Sequence, residues 1–189
     1  MNHNEVVLLK IKEQEKYKKI VLHSFKIEHL PDEIYDLEGI EILEINLPIT
    51  EISPKIKNLV NLKQLFLINT QLKSLPNEIS FLSNLTTLDI SGSSLSEIPT
   101  QVFKLSNLKR LVLSNTRIYQ LPKEIRELTN LSYLELIGTK IILEDKMLSD
   151  LVKLKRILIT KDNLGLDATE IQKYENLIIL PNPPVLRSM

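Results

Sequence analysis

Three consecutive stretches of the chain are nearly the same: NLKQLFLINTQLKSLPNEISFLS from Asn61, NLTTLDISGSSLSEIPTQVFKLS from Asn84 and NLKRLVLSNTRIYQLPKEIRELT from Asn107. A fixed period of 23 residues constrains the fold more than local propensity does, because each period must then be one structural unit repeated in space. With the first leucine of each unit as position 1, the units open at Leu62, Leu85, Leu108, Leu131 and Leu154. Positions 4 and 6 are apolar every time: Leu65 and Leu67, Leu88 and Ile90, Leu111 and Leu113, Leu134 and Leu136, Ile157 and Ile159. Position 11 follows with Leu72, Leu95, Ile118, Ile141 and Leu164.

The frame extends in both directions. Ile40, Leu43 and Ile45 open a unit one residue short, and Tyr17, Ile20 and Leu22 open another. Leu177 and Leu180 begin an eighth strand. The expected organisation is therefore an N-terminal cap over 1–16, seven repeats (17–39, 40–61, 62–84, 85–107, 108–130, 131–153 and 154–176), and a C-terminal strand with a proline-rich cap over 177–189.

Positions 4 and 6 alternate with 3, 5 and 7, the period of a strand. A proline-led segment then places Ile or Val and Leu three residues apart, as in PNEISFL, PTQVFKL and PKEIREL, which reads as a short helix opened by proline. One unit cannot bury its own apolar face, so neighbours must cover one another. The pattern LxxLxLxxxxLxxLPxxIxxLxN, with LPDEI, LPNEI, IPTQV and LPKEI as its second half, resembles the leucine-rich repeat family, in the variant shared by intracellular Ras-pathway scaffolds, plant immune receptors and bacterial repeat proteins. The resemblance implies an α/β solenoid. Its concave face is a curved parallel sheet, and short helices or 3-10 turns form its convex face. Repeat six (LEDKML, without proline), repeat seven (DATEI) and the late Pro54 depart from the pattern.

Asn61, Asn84, Asn107, Asn130 and Asn176 recur at strand entry and read as residues that satisfy turn backbones. Thr70, Ser93, Thr116 and Thr139 hold position 9, where a hydroxyl can bond to the turn. An open solenoid end exposes leucines and unpaired strand groups. VVLLKIKEQEK is therefore read as the N-terminal cap, helix or strand, and Pro181, Pro183 and Pro184 as residues that stop another strand from adding.

Composition narrows the function. There is no cysteine, which removes disulfides, thiolate catalysis and zinc-thiolate sites. Net charge is zero, so no long-range field favours nucleic acid or acidic lipid. The run from Val6 to Leu9 is too short for a secretory signal, and no stretch reaches the roughly 18 apolar residues of a membrane span. The expected setting is cytoplasmic, although a removed leader would leave the same picture. His3, His23 and His29 lack metal-ligand spacing, and ISGSS from Ile90 matches neither a phosphate loop nor a nucleophile elbow. No catalytic residue, metal site or cofactor is expected.

The letters between the leucines carry the recognition. Position 5 reads Val21, Glu44, Phe66, Asp89, Val112, Glu135, Leu158, apolar and acidic in turn. Positions 2 and 3 are basic where position 5 is apolar: Lys18 and Lys19, Lys63, Lys109 and Arg110, Lys155 and Arg156. Diagonal neighbours on adjacent strands lie about 7–8 Å apart, so Arg110 is expected to reach Asp89 or Glu135, Arg156 to reach Glu135 and Lys19 to reach Glu44. The expected binding residues are Phe66, Ile68, Arg110, Val112, Tyr133, Ile137, Arg156 and Leu158, exposed on the concave face and available to a protein or peptide partner. Two alternatives stand beside this: an anionic-ligand or nucleic-acid binder through the strand-face Lys and Arg residues, disfavoured by the interleaved acids, and a structural homo-oligomer. No membrane association is expected, and the chain is expected to be a monomer or weak dimer.

Overall fold

The computed structural model describes residues 3–143, 153–165 and 177–181. The proline-free turn of repeat six, the DATEI turn of repeat seven, Asn176, Pro183 and Pro184 lie outside the described residues.

Helix α1 (His3–Glu15) is followed by strands β1 (Lys19–His23), β2 (Ile42–Asn46), β3 (Gln64–Leu67), β4 (Thr87–Asp89), β5 (Arg110–Val112), β6 (Tyr133–Glu135), β7 (Arg156–Thr160) and β8 (Leu177–Leu180). They form one parallel sheet in strict chain order. The register is unbroken: Leu43, Leu65, Leu88, Leu111, Leu134 and Ile157 are successive partners and make one buried column. Ile45 and Leu67 are partners in a second such column, and Ile90, Leu113, Leu136 and Ile159 hold the same repeat position in the coils that follow, all fully buried.

The convex return takes the 3-10 form of the two expected. It is a five-residue 3-10 turn in each of five coils: Asp32–Asp36, Pro54–Asn58, Asn77–Phe81, Thr100–Lys104 and Lys123–Glu127. So few residues cannot build a stable α-helix, and the 3-10 form covers more length per residue. The proline does not sit inside the turn in four of these coils. Pro31, Pro76, Pro99 and Pro122 stand one place earlier, where their fixed φ of −59 to −73° suits the approach. The late Pro54 leaves that place to Ser53, whose hydroxyl accepts from the Lys55 N–H at 3.2 Å. The central Ile34, Ile56, Ile79, Val102 and Ile125 close the core from this side.

Side-chain amides tie coil to coil. Asn61, Asn84, Asn107 and Asn130 each donate Nδ2 to a carbonyl of the preceding coil (Glu38, Val60, Ser83 and Ser106), all at 2.8 Å. Thr116 and Thr139 donate to Leu113 and Leu136 carbonyls at 2.7 and 2.8 Å. Ser93 departs from the expectation: its hydroxyl is buried without a partner. Position 9 of repeat seven is Asp162, but the neighbouring Asn163 does the work. It is fully buried, donates to the Thr139 and Ile141 carbonyls at 3.2 and 2.9 Å, and accepts from the Thr160 N–H at 2.9 Å.

The turns that leave β3 to β6 each use a left-handed residue. Asn69, Gly92, Asn115 and Gly138 supply it, with φ of 53, 66, 56 and 69°. Asparagine and glycine alternate for a packing reason. A Cβ at Gly92 would collide with Asn69 Oδ1, and one at Gly138 with Asn115 Oδ1.

The N-terminal edge of the sheet is closed by α1, a helix. Val7 and Ile11, one turn apart, are buried against the first coil. Gln14 imitates a strand neighbour: its Oε1 accepts from the Val21 N–H at 2.7 Å and its Nε2 donates to the Val21 carbonyl at 3.2 Å. At the other end β8 is only partly buried, with Ile178 37% exposed.

Two predictions follow from the interior. Gly92→Ala should lower urea-unfolding stability by about 1–3 kcal/mol from left-handed strain alone, and more while Asn69 is present. Combining it with Asn69→Gly should recover part of the loss, whereas strict additivity of the two changes would exclude the packing reason. Tyr35, 1% exposed, accepts the Ser53 N–H on its hydroxyl at 3.3 Å, and burial pushes its phenol from 10.0 up to about 12. The unfolded chain ionises this phenol first, so its contribution is complete below pH 10 and is lost between 10 and about 12. Stability measured across that range should fall more steeply for the wild type than for Tyr35→Phe.

Candidate partner-binding face

The solvent side of the sheet is ordered in rows that follow from the parallel register. One row runs Val21, Glu44, Phe66, Asp89, Val112, Glu135, Leu158, Ile178. The next runs Lys19, Ile42, Gln64, Thr87, Arg110, Tyr133, Arg156. Beside it, Lys18, Glu41, Lys63, Thr86, Lys109, Ser132 and Lys155 are joined by consecutive backbone hydrogen bonds of 2.8–2.9 Å. The apolar–acidic alternation thus runs from β1 to β7 and ends at β8, where Ile178 stands beside Leu158.

The two halves of the face use their charges differently. In the first coils, Glu41 bridges Lys18 at 3.1 Å and Lys63 at 2.6 Å, and Lys19 meets Glu44 at 3.7 Å as expected. The hydrogen bond from Lys63, then that from Lys18, holds the Glu41 carboxyl below the usual carboxylate range. These pairs are solvated, so water screening leaves each of them a weak contributor to stability.

On β5 and β6, Arg110 stacks over the Tyr133 ring at 3.6 Å from its centroid and approaches Glu135 Oε2 at 3.5 Å. Tyr133 Oη donates to the same Oε2 at 2.7 Å, and Ser114 Oγ donates to Oε1 at 3.0 Å. Desolvation, then the bond to Glu135, raises the Tyr133 phenol above its ordinary value. Arg110 thus reaches Glu135 as expected, while the expected pair of Arg156 with Glu135 does not form. Asp89 accepts the Ser91 N–H at 2.9 Å, and Glu135 is taken by Arg110, Tyr133 and Ser114.

Val112 needs a correction. It was expected to be an exposed contact residue, yet it is 3% exposed while standing outside the apolar core. Its row neighbours are Asp89 and Glu135, and Arg110 and Ser114 stand two places before and after it in the chain. The network that immobilises Glu135 closes over the small valine, which therefore offers a partner almost no area.

Phe66, Ile68, Tyr133, Ile137, Leu158 and Arg110 are half-buried, and Arg156 is exposed. They do not make one patch. Phe66 and Tyr133 lie three strands apart, roughly 14 Å at ordinary strand spacing, with Asp89, Ser91 and Ser114 in the two coils between. One apolar pair is Phe66 with Ile68 after β3, and the other group is Tyr133 with Ile137 around β6. Sequence reasoning missed Ser114, the bridging role of Glu41, and Phe81, which is 66% exposed on a convex turn. The charge order of Lys18, Glu41 and Lys63 on successive strands was a signal for the bridge.

Among the described residues no group of three or more His, Asp or Glu is placed to hold a metal ion. His23 Nδ1 lies 3.0 Å from Ser24 Oγ, and His29 Nδ1 lies 3.1 Å from Glu51 Oε1. No helix among them is long and apolar enough to cross a membrane.

Comparison with known proteins agrees with this architecture. A segment of 74 residues is 38% identical to the volume-regulated anion channel subunit LRRC8A of Mus musculus and of Homo sapiens, covering 38% of this chain and 9% of the channel subunit. An internalin from Listeria monocytogenes superposes with a TM-score of 0.71 at 20% identity, over 85% of this chain and 46% of that one. The plant peptide hormone receptor RGFR1, solved in complex with RGF2, superposes with a TM-score of 0.66 at 28% identity, over 86% of this chain and 28% of that one. The chain thus spans less than half the length of each of these proteins. Residues 49–178, well over half of the chain, match the family model described as a leucine-rich repeat region. The chain belongs to the leucine-rich repeat family.

Proposed function

We propose that this chain is a non-catalytic interaction module that holds a protein or peptide segment against its concave sheet. The observation that carries the reading is the pair Phe66 and Ile68, half-exposed apolar side chains fixed on and just after β3 between acidic neighbours Glu44 and Asp89. A rigid sheet loses little entropy on binding, and half-exposed aromatic side chains are the groups that most often dominate contact energy. The Arg110–Tyr133 stack is a second rigid anchor, held in place by Glu135 before any partner arrives. The plant receptor RGFR1, of similar fold, was solved with RGF2 bound, which supports a peptide-binding reading. Nucleic acid is a poorer fit, because Glu41 and Glu44 already neutralise Lys18, Lys19 and Lys63. A reducing, cytoplasmic setting accords with the absence of cysteine.

Peptides selected from a displayed random library on the immobilised chain test the reading. Phe66→Ala and Tyr133→Ala should each weaken the selected peptides about 10-fold or more, equivalent to about 1.4 kcal/mol, with little change in the unfolding midpoint. Phe81→Ala, on the convex side, should leave affinity unchanged. Unchanged affinity for both concave variants, with loss for Phe81→Ala, would contradict the proposal.

A further inference from the structure

Lysines stand on alternate coils of the row Lys18, Glu41, Lys63, Thr86, Lys109, Ser132 and Lys155, so the same three-strand geometry occurs three times, around Glu41, Thr86 and Ser132. The copies around Glu41 and around Ser132 share no lysine and differ in charge. In the first copy two lysines two strands apart share the Glu41 carboxylate between them, at 3.1 and 2.6 Å. In the last copy Lys109 and Lys155 hold the same places relative to each other, joined through Ser132 by backbone bonds of 2.9 Å. The middle residue brings no charge there. The Ser132 hydroxyl is turned to the Lys109 carbonyl at 3.2 Å. Above it lies a solvent-open pocket of about 470 Å³ lined by Lys109, Asn130, Ser132, Lys153, Leu154 and Lys155. Among the described residues, three lysines and no carboxylate line it, and none of the three lysines forms an ion pair.

We infer that this pocket receives a carboxylate from an acidic side chain of a bound peptide, standing where Glu41 stands between Lys18 and Lys63. The inference rests on the peptide-binding reading above and adds the charge of the partner. The template is one carboxylate held between two lysines. A nucleic-acid backbone or a lipid surface laid along the sheet would meet Asp89 and Glu135 in the parallel row. A carboxylate among three ammonium groups makes charge-assisted hydrogen bonds, stronger than neutral ones. It also speeds encounter and sets orientation, the usual return from charge pairs at an interface rim. The apolar side chains supply contact area, and this pocket supplies direction: the acidic residue of the peptide sits at the entry ends of β5 to β7.

The probe is the blocked hexaglutamate peptide, with hexaglutamine as the neutral control, titrated by amide-resolved NMR. Hexaglutamate should shift Ser132, Lys153 and Lys155 amides saturably, and hexaglutamine should not. Ser132→Glu places the missing carboxylate in the same chain and should weaken hexaglutamate about 10-fold, while Ser132→Gln and Lys63→Ala should change it less than about 2-fold. Circular dichroism melts should show both Ser132 variants folded, since Ser132 lies on the sheet surface. The inference is overturned if hexaglutamate does not saturate, if Ser132→Glu binds it as well as the wild type, or if Lys63→Ala loses as much. Inorganic phosphate or phosphatidylserine vesicles binding in a Ser132→Glu-sensitive way, while hexaglutamate does not, would replace the peptide by those ligands. If library-selected peptides lose affinity with Phe66→Ala yet are bound equally by Ser132→Glu, the peptide-binding reading stands and this pocket is removed from it.

Discussion

A coil of about 23 residues with apolar side chains at positions 1, 4, 6 and 11 has too little chain to cover them. The buried column from Leu43 to Ile157 shows how this is resolved: each leucine is covered by its counterpart in the coils before and after. The convex turns, the amide bonds from Asn61, Asn84, Asn107 and Asn130, and the unbroken strand register all follow from the need to keep identical coils in contact. Stability in such a stack is a sum over neighbours, so the ends are weakest and need special treatment. At the start of the chain Gln14 and the buried Val7 and Ile11 provide it.

Regular stacking also frees the other face. Because the leucines satisfy the core, positions 2, 3, 5 and 7 need not be apolar, and positions 2, 3 and 5 carry a pattern with a period of two coils. The same period appears at the left-handed turn, where Asn69 and Asn115 lean over Gly92 and Gly138. Packing enforces the alternation at the turn, since the asparagine of one coil occupies the space a side chain would need in the next. On the sheet the alternation separates apolar side chains by acids, which keeps a broad parallel sheet from offering one continuous sticky surface.

Much of this was legible in the sequence. The period identified the inward residues, the strands and the order of the rows, because register in a stack of equal coils leaves no freedom. The left-over features depend on side-chain conformation, which no period encodes. Val112 reads as exposed from its position, yet Arg110, Tyr133, Glu135 and Ser114 close around it. Asn163 takes the role that counting assigns to Asp162, because its amide can donate to two carbonyls and accept as well. VVLLKIKEQEK could have been strand or helix; it is a helix whose penultimate residue, Gln14, bonds to the sheet edge at Val21.

The central claim is that coils are stable only through their neighbours. Native-state hydrogen exchange of Leu111→Ala tests it most directly, since Leu111 is fully buried between Leu88 and Leu134 and its truncation should cost about 2–5 kcal/mol. The account predicts that amide protection falls in β4 and β6 together with β5. Loss confined to β5, with β4 and β6 as protected as in the wild type, would contradict it.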